Sequence, residues 1–402
     1  MKRTKQALIV LISFIALTVF SMTASAASST STLKFNVKYG QTEARKILTL
    51  INNFRTGDNA WYWNSSNSKK VYCSGLSKLT YDYDLEEMAM QRAAEIAYQF
   101  SHTRPDGSSC LSINGEYNYI CYVSGENIAY GSTTAAGVFE DWLEEYQKYA
   151  GQGHRRLMLS KRATSIGIGH AVRGGVHYWV LLFTASKNTS TKTAATNGTV
   201  RVSIKVPKAE ATAAKAVQKS TCKITSITNS TSGIKLKWSK VSDASGYYIY
   251  RKIESSEYEK IDTITDSSTV TWTDTETGEY YLSGYKFTYK VVPYRGVYTG
   301  KYTTKSIYRV GNTSITSISS TKKSSVTLSW SKPTFAVKYV VQYSTDKNFK
   351  TYKSVTVKNN KTTITGLKSG KTYYFRVKAV DVMNNGKSYN GAYSAKKNVK
   401  VK

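Results

Sequence analysis

Apolar and polar positions along this chain change period more than once. Between residues 41 and 187 helical and strand spacings alternate. "DLEEMAMQRAAEIAYQF" sets Leu85, Ala89, Ala93, Ile96 and Phe100 on one helical face, and Asp84 with Glu87 three residues later predicts a capping box. "AAGVFEDWLEEYQKYA" does the same with Val138, Trp142, Glu145 and Tyr149. "SIGIGHAV" and "HYWVLLFTA" flank Arg173-Gly174-Gly175, a hairpin signature. Helices combined with a hairpin sheet predict an α+β sandwich over 41–187, preceded by an N-terminal segment, 27–40. Residues 188–219, rich in Ser, Thr, Ala and Lys, read as a linker holding one strand, "VRVSIKV", that docks on a neighbour.

Beyond the linker the period settles at two and the sequence repeats. "GIKLKWSK" returns as "SVTLSWSK", with Trp238 and Trp330 92 residues apart. Nine residues after each tryptophan stands a tyrosine, Tyr247 and Tyr339. Two copies of short alternating strands, 220–310 and 311–402, predict two all-β immunoglobulin-like sandwiches with the tryptophans in their cores. These repeats resemble fibronectin type III modules. The second copy matches the Leu-x-x-Gly-x-x-Tyr element of that family at Leu367, Gly370 and Tyr373. The resemblance implies that the Tyr373 hydroxyl bonds backbone at the corner between sheets. The first copy has Tyr281, Gly284 and Phe287 instead, so its corner must be held in another way.

Charge changes the picture for the last module alone. The chain carries +31 formally, yet residues 27–187 hold 17 basic and 14 acidic side chains, while 311–402 hold 18 and 2. Such a module seeks anions. The start of the chain names the compartment in which to look for them. Lys2, Arg3 and Lys5 precede an apolar stretch from Ala7 to Met22 and a small-x-small site at Ala24-Ser25-Ala26, the pattern of a secretory signal peptide over 1–26. A secreted protein without a transmembrane anchor meets anionic cell-wall polymers and polysaccharides rather than nucleic acid. Four cysteines, Cys73, Cys110, Cys121 and Cys222, match no zinc spacing. Secretion permits a disulfide, for which Cys110 with Cys121 is the favoured pair, with other pairings and free thiols left open.

Three segments of the first domain are more polar than a core requires: "FSHTRPDGS" with His102, "GENIAYG" with Glu126, and "GQGHRRLML" with His154. Glu145 joins them on the helical face of Trp142, although the acidic run Glu140, Asp141, Glu144, Glu145 allows a register in which Glu144 takes its place. Two imidazoles and two carboxylates brought together can bind a divalent metal or form a hydrogen-bonded network with mutually shifted pKa values. His170 and His177, on strands beside the hairpin, read as structural. Arg155 and Arg156 read as a solvated pair at a helix start.

"SHTRPDG", "GENIAYG", "GHRRLML" with "IGIGHA", and "HYWVLLFT", in this order, resemble the CAP family of cysteine-rich secretory, antigen five and pathogenesis-related proteins. The resemblance implies an α-β-α sandwich with a cleft lined by His102, Glu126, Glu145 and His154. It also implies a ligand there, with zinc or another divalent cation held by His102 and His154. The motif spellings look bacterial.

No His-Glu-x-x-His helix and no Gly-x-Ser-x-Gly elbow occurs, so no catalytic residue is assigned and a non-enzymatic role is favoured. The expected protein is secreted and modular. Its CAP cleft binds a small ligand or metal, and its basic repeats act as spacer and as attachment to a cell-wall or other polyanion. An extracellular hydrolase using the same cleft and a non-catalytic adhesin are the alternatives.

Overall fold

A long strand at the beginning of the described chain organises the first domain. The computed structural model describes residues 29–278, 284–382 and 386–402; the leader expected over 1–26 lies outside them, as does Tyr281. Thr30–Gly40 (β1) is followed by Gln41–Ala44 (α1), Ile47–Thr56 (α2) and a small hairpin of Trp61–Trp63 (β2) with Lys70–Tyr72 (β3). Then come Thr80–Tyr81 (β4), Tyr83–Tyr98 (α3), Val123–Tyr130 (β5), Ala135–Leu143 (α4), Gly153–Met158 (α5), Ser165–Arg173 (β6), Val176–Thr184 (β7), Asn197–Pro207 (β8) and Lys208–Lys219 (α6). The main sheet runs β5-β7-β6-β1-β8, with β4 added in parallel on β6.

Both faces of this sheet are covered, which makes the domain an α-β-α sandwich. Strand alternation on β7 sends Trp179, Leu181 and Phe183 toward α2 and α4, and Val180 and Leu182 toward α3. On α3 the residues Leu85, Met88, Ala89, Ala93 and Ile96 are buried against the sheet, each large side chain contributing about 1.5–3 kcal/mol. The "GIG" spelling of β6 explains the close fit: a Cβ on Gly167 would stand 2.3 Å from the Leu85 carbonyl carbon, and one on Gly169 2.1 Å from the Ala89 oxygen. The hairpin turn is Gly174-Gly175, both at positive φ as a type I′ turn demands.

Three local expectations shift. The N-cap of α3 is Asp82, whose Oδ1 accepts from the amides of Asp84 and Leu85 at 3.1 and 3.0 Å, so the cap lies two residues before the Asp84 of the expected box. It ends before Phe100, which lies beyond an extended Gln99 and is exposed. The linker's one expected strand docks, as β8, on the first domain itself, and helix α6 follows it directly. β8 pairs antiparallel with β1 along its whole length, Thr30 opposite Pro207 through Gly40 opposite Asn197, so both segments flanking 41–187 complete the first domain's sheet.

The rest of the chain is two sandwiches of one strand order. The first joins a sheet of Ile224–Ser230, Gly233–Trp238 and Thr271–Asp274 to one built on Gly246–Ile253 and Lys286–Arg295. The second joins Ile315–Ser319, Ser325–Trp330 and Lys361–Thr365 to one built on Lys338–Ser344 and Thr372–Val382. Trp238 meets Tyr247 edge-on at 5.4 Å and 65°, and Trp330 meets Tyr339 at 5.4 Å and 67°. In the second module the Tyr373 hydroxyl accepts from the Lys368 amide at 3.3 Å, closing the corner over Leu367 and Gly370. In the first, where Phe287 stands instead, the hydroxyl of Tyr289 donates to buried Asp274 at 2.7 Å, and Arg251 pairs with the same carboxylate. A tyrosine hydroxyl is thus bonded two residues further along the same strand, to a side chain instead of backbone. No helix among the described residues is long and apolar enough to cross a membrane.

Candidate functional site

The polar segments of the first domain gather on either side of the edge strand β5. Neighbouring residues of a strand point to opposite faces. Glu126 turns toward α3, where Arg92 meets it, while the amide of Asn127 donates to the His154 carbonyl at 3.2 Å on the face of α4 and α5. Two separate imidazole-carboxylate pairs result.

The first pair is His102 with Glu126. His102 Nδ1 stands 2.9 Å from Glu126 Oε1, with its side chain 56% exposed while that of Glu126 is buried. Behind it Arg92 donates from Nε to Oε2 at 2.7 Å and from Nη2 to Oε1 at 3.1 Å. Arg92 also donates to Glu95 at 2.7 Å, and Arg104 forks onto Glu95 at 2.6 and 3.0 Å. Two buried carboxylates and two buried guanidinium groups thereby compensate one another. Burial alone would raise the Glu126 pKa, but the bonds from His102 and Arg92 and the Arg92 charge hold it below the usual carboxylate value. The His102 imidazole is pushed up to about 9, by hydrogen bonding to Cys110 first and Glu126 second, against desolvation.

Cys110 reaches this pair because Cys110 N donates to the His102 carbonyl at 3.1 Å across a small loop bridged at Thr103 and Ser109. The thiol therefore lies beside His102, and the cysteines at 73, 110, 121 and 222 are all free rather than disulfide-bonded. Cys121 is instead buried under α3, close to Asp82 and Asp84, which places it in another group from Cys110.

The second pair is His154 with Glu144, not Glu145. α4 stops at Leu143, and Glu144 takes a left-handed conformation with φ 44°. That turn aims Glu144 back across α5, where Oε1 stands 2.6 Å from His154 Nδ1 and Oε2 accepts the His154 amide at 3.0 Å. The helical spacing that selects Glu145 has ended by then, and Glu145 is exposed.

Nearby cations are structural. Arg155 is buried and donates to the carbonyls of Asn59 and Leu143 at 2.7 and 2.8 Å, with its guanidinium 4.4 Å from the Trp61 ring, so it is not part of a solvated pair. Arg156 stacks on Tyr149 at 4.0 Å. His170 lies flat on Trp179 at 3.7 Å and bonds His177 at 2.9 Å. Burial drives its pKa down to about 4, as a neutral packing residue requires.

Among the described residues two sets of donor atoms lie close enough for a divalent ion, His102 with Cys110 and Glu126, and Asp82 with Asp84 and Cys121, and only the first contains a histidine. One ligand atom each from His102, Cys110 and Glu126 lie within 4.8 Å of one another, a nitrogen, sulfur and oxygen set suited to zinc. An ion there would replace the proton between His102 and Glu126. Among the described residues no group of three or more such donors includes both His102 and His154; each imidazole has its own carboxylate, Glu126 and Glu144. Sequence reasoning missed Arg92, Glu95, Arg104 and the role of Cys110. The signal for the first two was a charged i, i+3 pair on the buried side of α3.

With this geometry in hand, comparison with known proteins gives two matches to family descriptions. The cysteine-rich secretory protein family, CAP, matches residues 48–183. The fibronectin type III domain matches residues 310–393. No curated protein matches the chain. Among solved structures, the chicken CNTN1 FN1-FN3 domains are similar at 15% identity, covering 57% of this chain and 84% of that one, with a TM-score of 0.28.

Proposed function

We propose that this chain, in which a CAP domain is followed by fibronectin type III-like modules, is an extracellular-type binding protein that takes a divalent ion through its first domain and is retained on a polyanion by its last. The observation that carries the first half is the exposed His102 imidazole beside Cys110 and Glu126. His102, Cys110 and Glu126 would hold the ion, and the imidazole would have to lose its proton to do so. Bound there, the ion would supply a Lewis-acidic point reachable from solvent. Binding is favoured over hydrolysis because Glu126 is gripped by Arg92 and held below its usual pKa, which leaves it a poor base. The second half rests on the charge of residues 311–402 and on a secreted location.

Calorimetric titration of chelator-treated full-length protein with zinc tests the ion. We expect one ion per chain, at least tenfold weaker binding for His102→Ala and Cys110→Ser, and unchanged binding for His154→Ala. Absence of binding in the wild type, or equal loss in His154→Ala, overturns the assignment.

A further inference from the structure

The polyanion reading leaves open where on a lysine-rich module an anion would sit. A cavity of about 370 Å³ opens on the last sandwich, lined by Lys347, Phe349, Arg376, Tyr393, Ser394 and Lys396. Its floor is one guanidinium held between two rings: Arg376 Cζ is 4.2 Å from the centre of Phe349 and 4.4 Å from that of Tyr393. Arg376 Nε donates to the buried amide oxygen of Gln342 at 2.8 Å, which fixes the plane of the fork. Among the described residues no carboxylate forms an ion pair with it. Lys378, on the same strand, shares the Tyr393 ring at 5.0 Å. Burial and the Arg376 charge hold the Lys378 pKa below the ordinary lysine value. Lys396 Nζ donates to the Lys347 carbonyl at 2.9 Å, so its ammonium is kept at the rim.

The wall of the cavity is set as firmly as its floor. Phe349 adopts φ 54°, a left-handed conformation that a bulky side chain rarely takes. It is kept there by Asp346, whose carbonyl accepts the Phe349 amide at 3.1 Å and whose carboxylate accepts the amides of Asn348 and Lys350 at 2.9 and 2.8 Å. Asp346 thus spends its hydrogen bonds on backbone and offsets Lys396 only through its charge, while Lys378 and Arg376 repel each other around a rigid fork. Cations whose charge the protein offsets only in part are stabilised by an external anion.

We propose that Arg376, Lys378 and Lys396 form an oxyanion-binding pocket that grips the repeating charged groups of a linear acidic polymer. The planar fork suits phosphate and carboxylate alike, and the lysines add point charge without further geometry. This rests on the reading of the last module as polyanion-retaining, and narrows it to one place.

The test measures binding of the full-length protein to two probes, inorganic polyphosphate and polygalacturonate, at about 0.15 M salt, where diffuse surface charge is largely screened. Lys378→Gln with Lys396→Gln should weaken binding about tenfold, the loss of two charge-assisted contacts. Lys358→Gln with Lys361→Gln removes the same charge elsewhere on the module and should change it less than about twofold. Arg376→Lys, which keeps charge but loses the fork, should weaken the preferred probe, and the tighter of the two probes identifies phosphate or carboxylate as the recognised group. Equal weakening by both lysine pairs overturns the pocket while leaving polyanion retention standing. Failure of the wild type to bind either polymer overturns both, and tighter binding to anionic phospholipid vesicles than to either polymer overturns the choice of ligand.

Discussion

Arg92 and Glu126 form a two-point pair, Nε to Oε2 at 2.7 Å and Nη2 to Oε1 at 3.1 Å, with both side chains buried. It joins α3 to the edge strand β5 and sets the one carboxylate that His102 touches. The imidazole inherits its orientation from a guanidinium it does not contact.

Removing Arg92 should therefore cost far more than a surface ion pair. Arg92→Leu takes the buried guanidinium from Glu126 and from Glu95, leaving them only His102 and Arg104, and breaking a buried pair from one side costs about 3–5 kcal/mol. Urea denaturation followed by tryptophan fluorescence measures this. Glu126→Gln, which keeps an acceptor for Arg92, should cost less, and a smaller loss for Arg92→Leu than for Glu126→Gln would contradict the assignment.

Between about pH 6.5 and 9 stability should fall because of His102. Its folded pKa of about 9 lies above its ordinary 6.5. The contribution is therefore complete below about pH 6.5 and lost as pH rises through about 9. Glu126, with a depressed pKa, contributes in the opposite sense, losing its share as pH falls through its folded value. Melting temperatures of wild type and His102→Gln should differ most near pH 6 and converge toward pH 9. Parallel curves over that range would remove His102 from the account.

Much of the architecture was legible in the alternation and in the repeated Trp and Tyr, because strand period and core aromatics are local properties of the sequence. The corner of the second module was legible for the same reason, in Leu367, Gly370 and Tyr373. What could not be read was decided by backbone termination and by partners distant in sequence. Glu145 occupies the right helical face, but α4 ends at Leu143 and the left-handed Glu144 inherits the contact with His154. The strand within low-complexity residues 188–219 could be read, but not its partner, β1, more than 150 residues earlier. Cys110 and Cys121 are close in sequence, but the loop between them turns one toward His102 and the other into the core.

The two neighbouring glutamates offer a sharp comparison. Glu144 accepts the His154 amide at the start of α5 and holds its imidazole, so Glu144→Ala should cost about 0.5–2 kcal/mol, the range for a lost helix cap. Glu145→Ala, at an exposed position, should stay within about 0.5 kcal/mol of wild type. Chemical denaturation of both variants decides it, and equal effects would mean that the register of this turn is wrong.

The CAP domain is joined to the first sandwich through a shared carboxylate. Glu210 on α6 accepts the Tyr98 hydroxyl at 2.7 Å and is gripped by Arg295 at 2.6, 2.9 and 3.1 Å, so one carboxylate ties α3, α6 and the sandwich together. Beside it, Gly296 lets the backbone approach the Tyr98 ring so closely that a Cβ would stand 2.3 Å away. Arg173 reaches across to the Val297 carbonyl at 3.0 Å. Such a junction couples the units thermally, because neither can open without exposing these groups. Glu210→Ala leaves Arg295 and Tyr98 without their shared acceptor, and should split a joint calorimetric transition of the CAP domain and first sandwich into two, with little change in the transition of the last module. A Glu210→Ala profile that keeps the wild-type number of transitions would show that the apolar contacts around Tyr98 and Tyr298 suffice to hold the junction, and that the carboxylate is incidental to it.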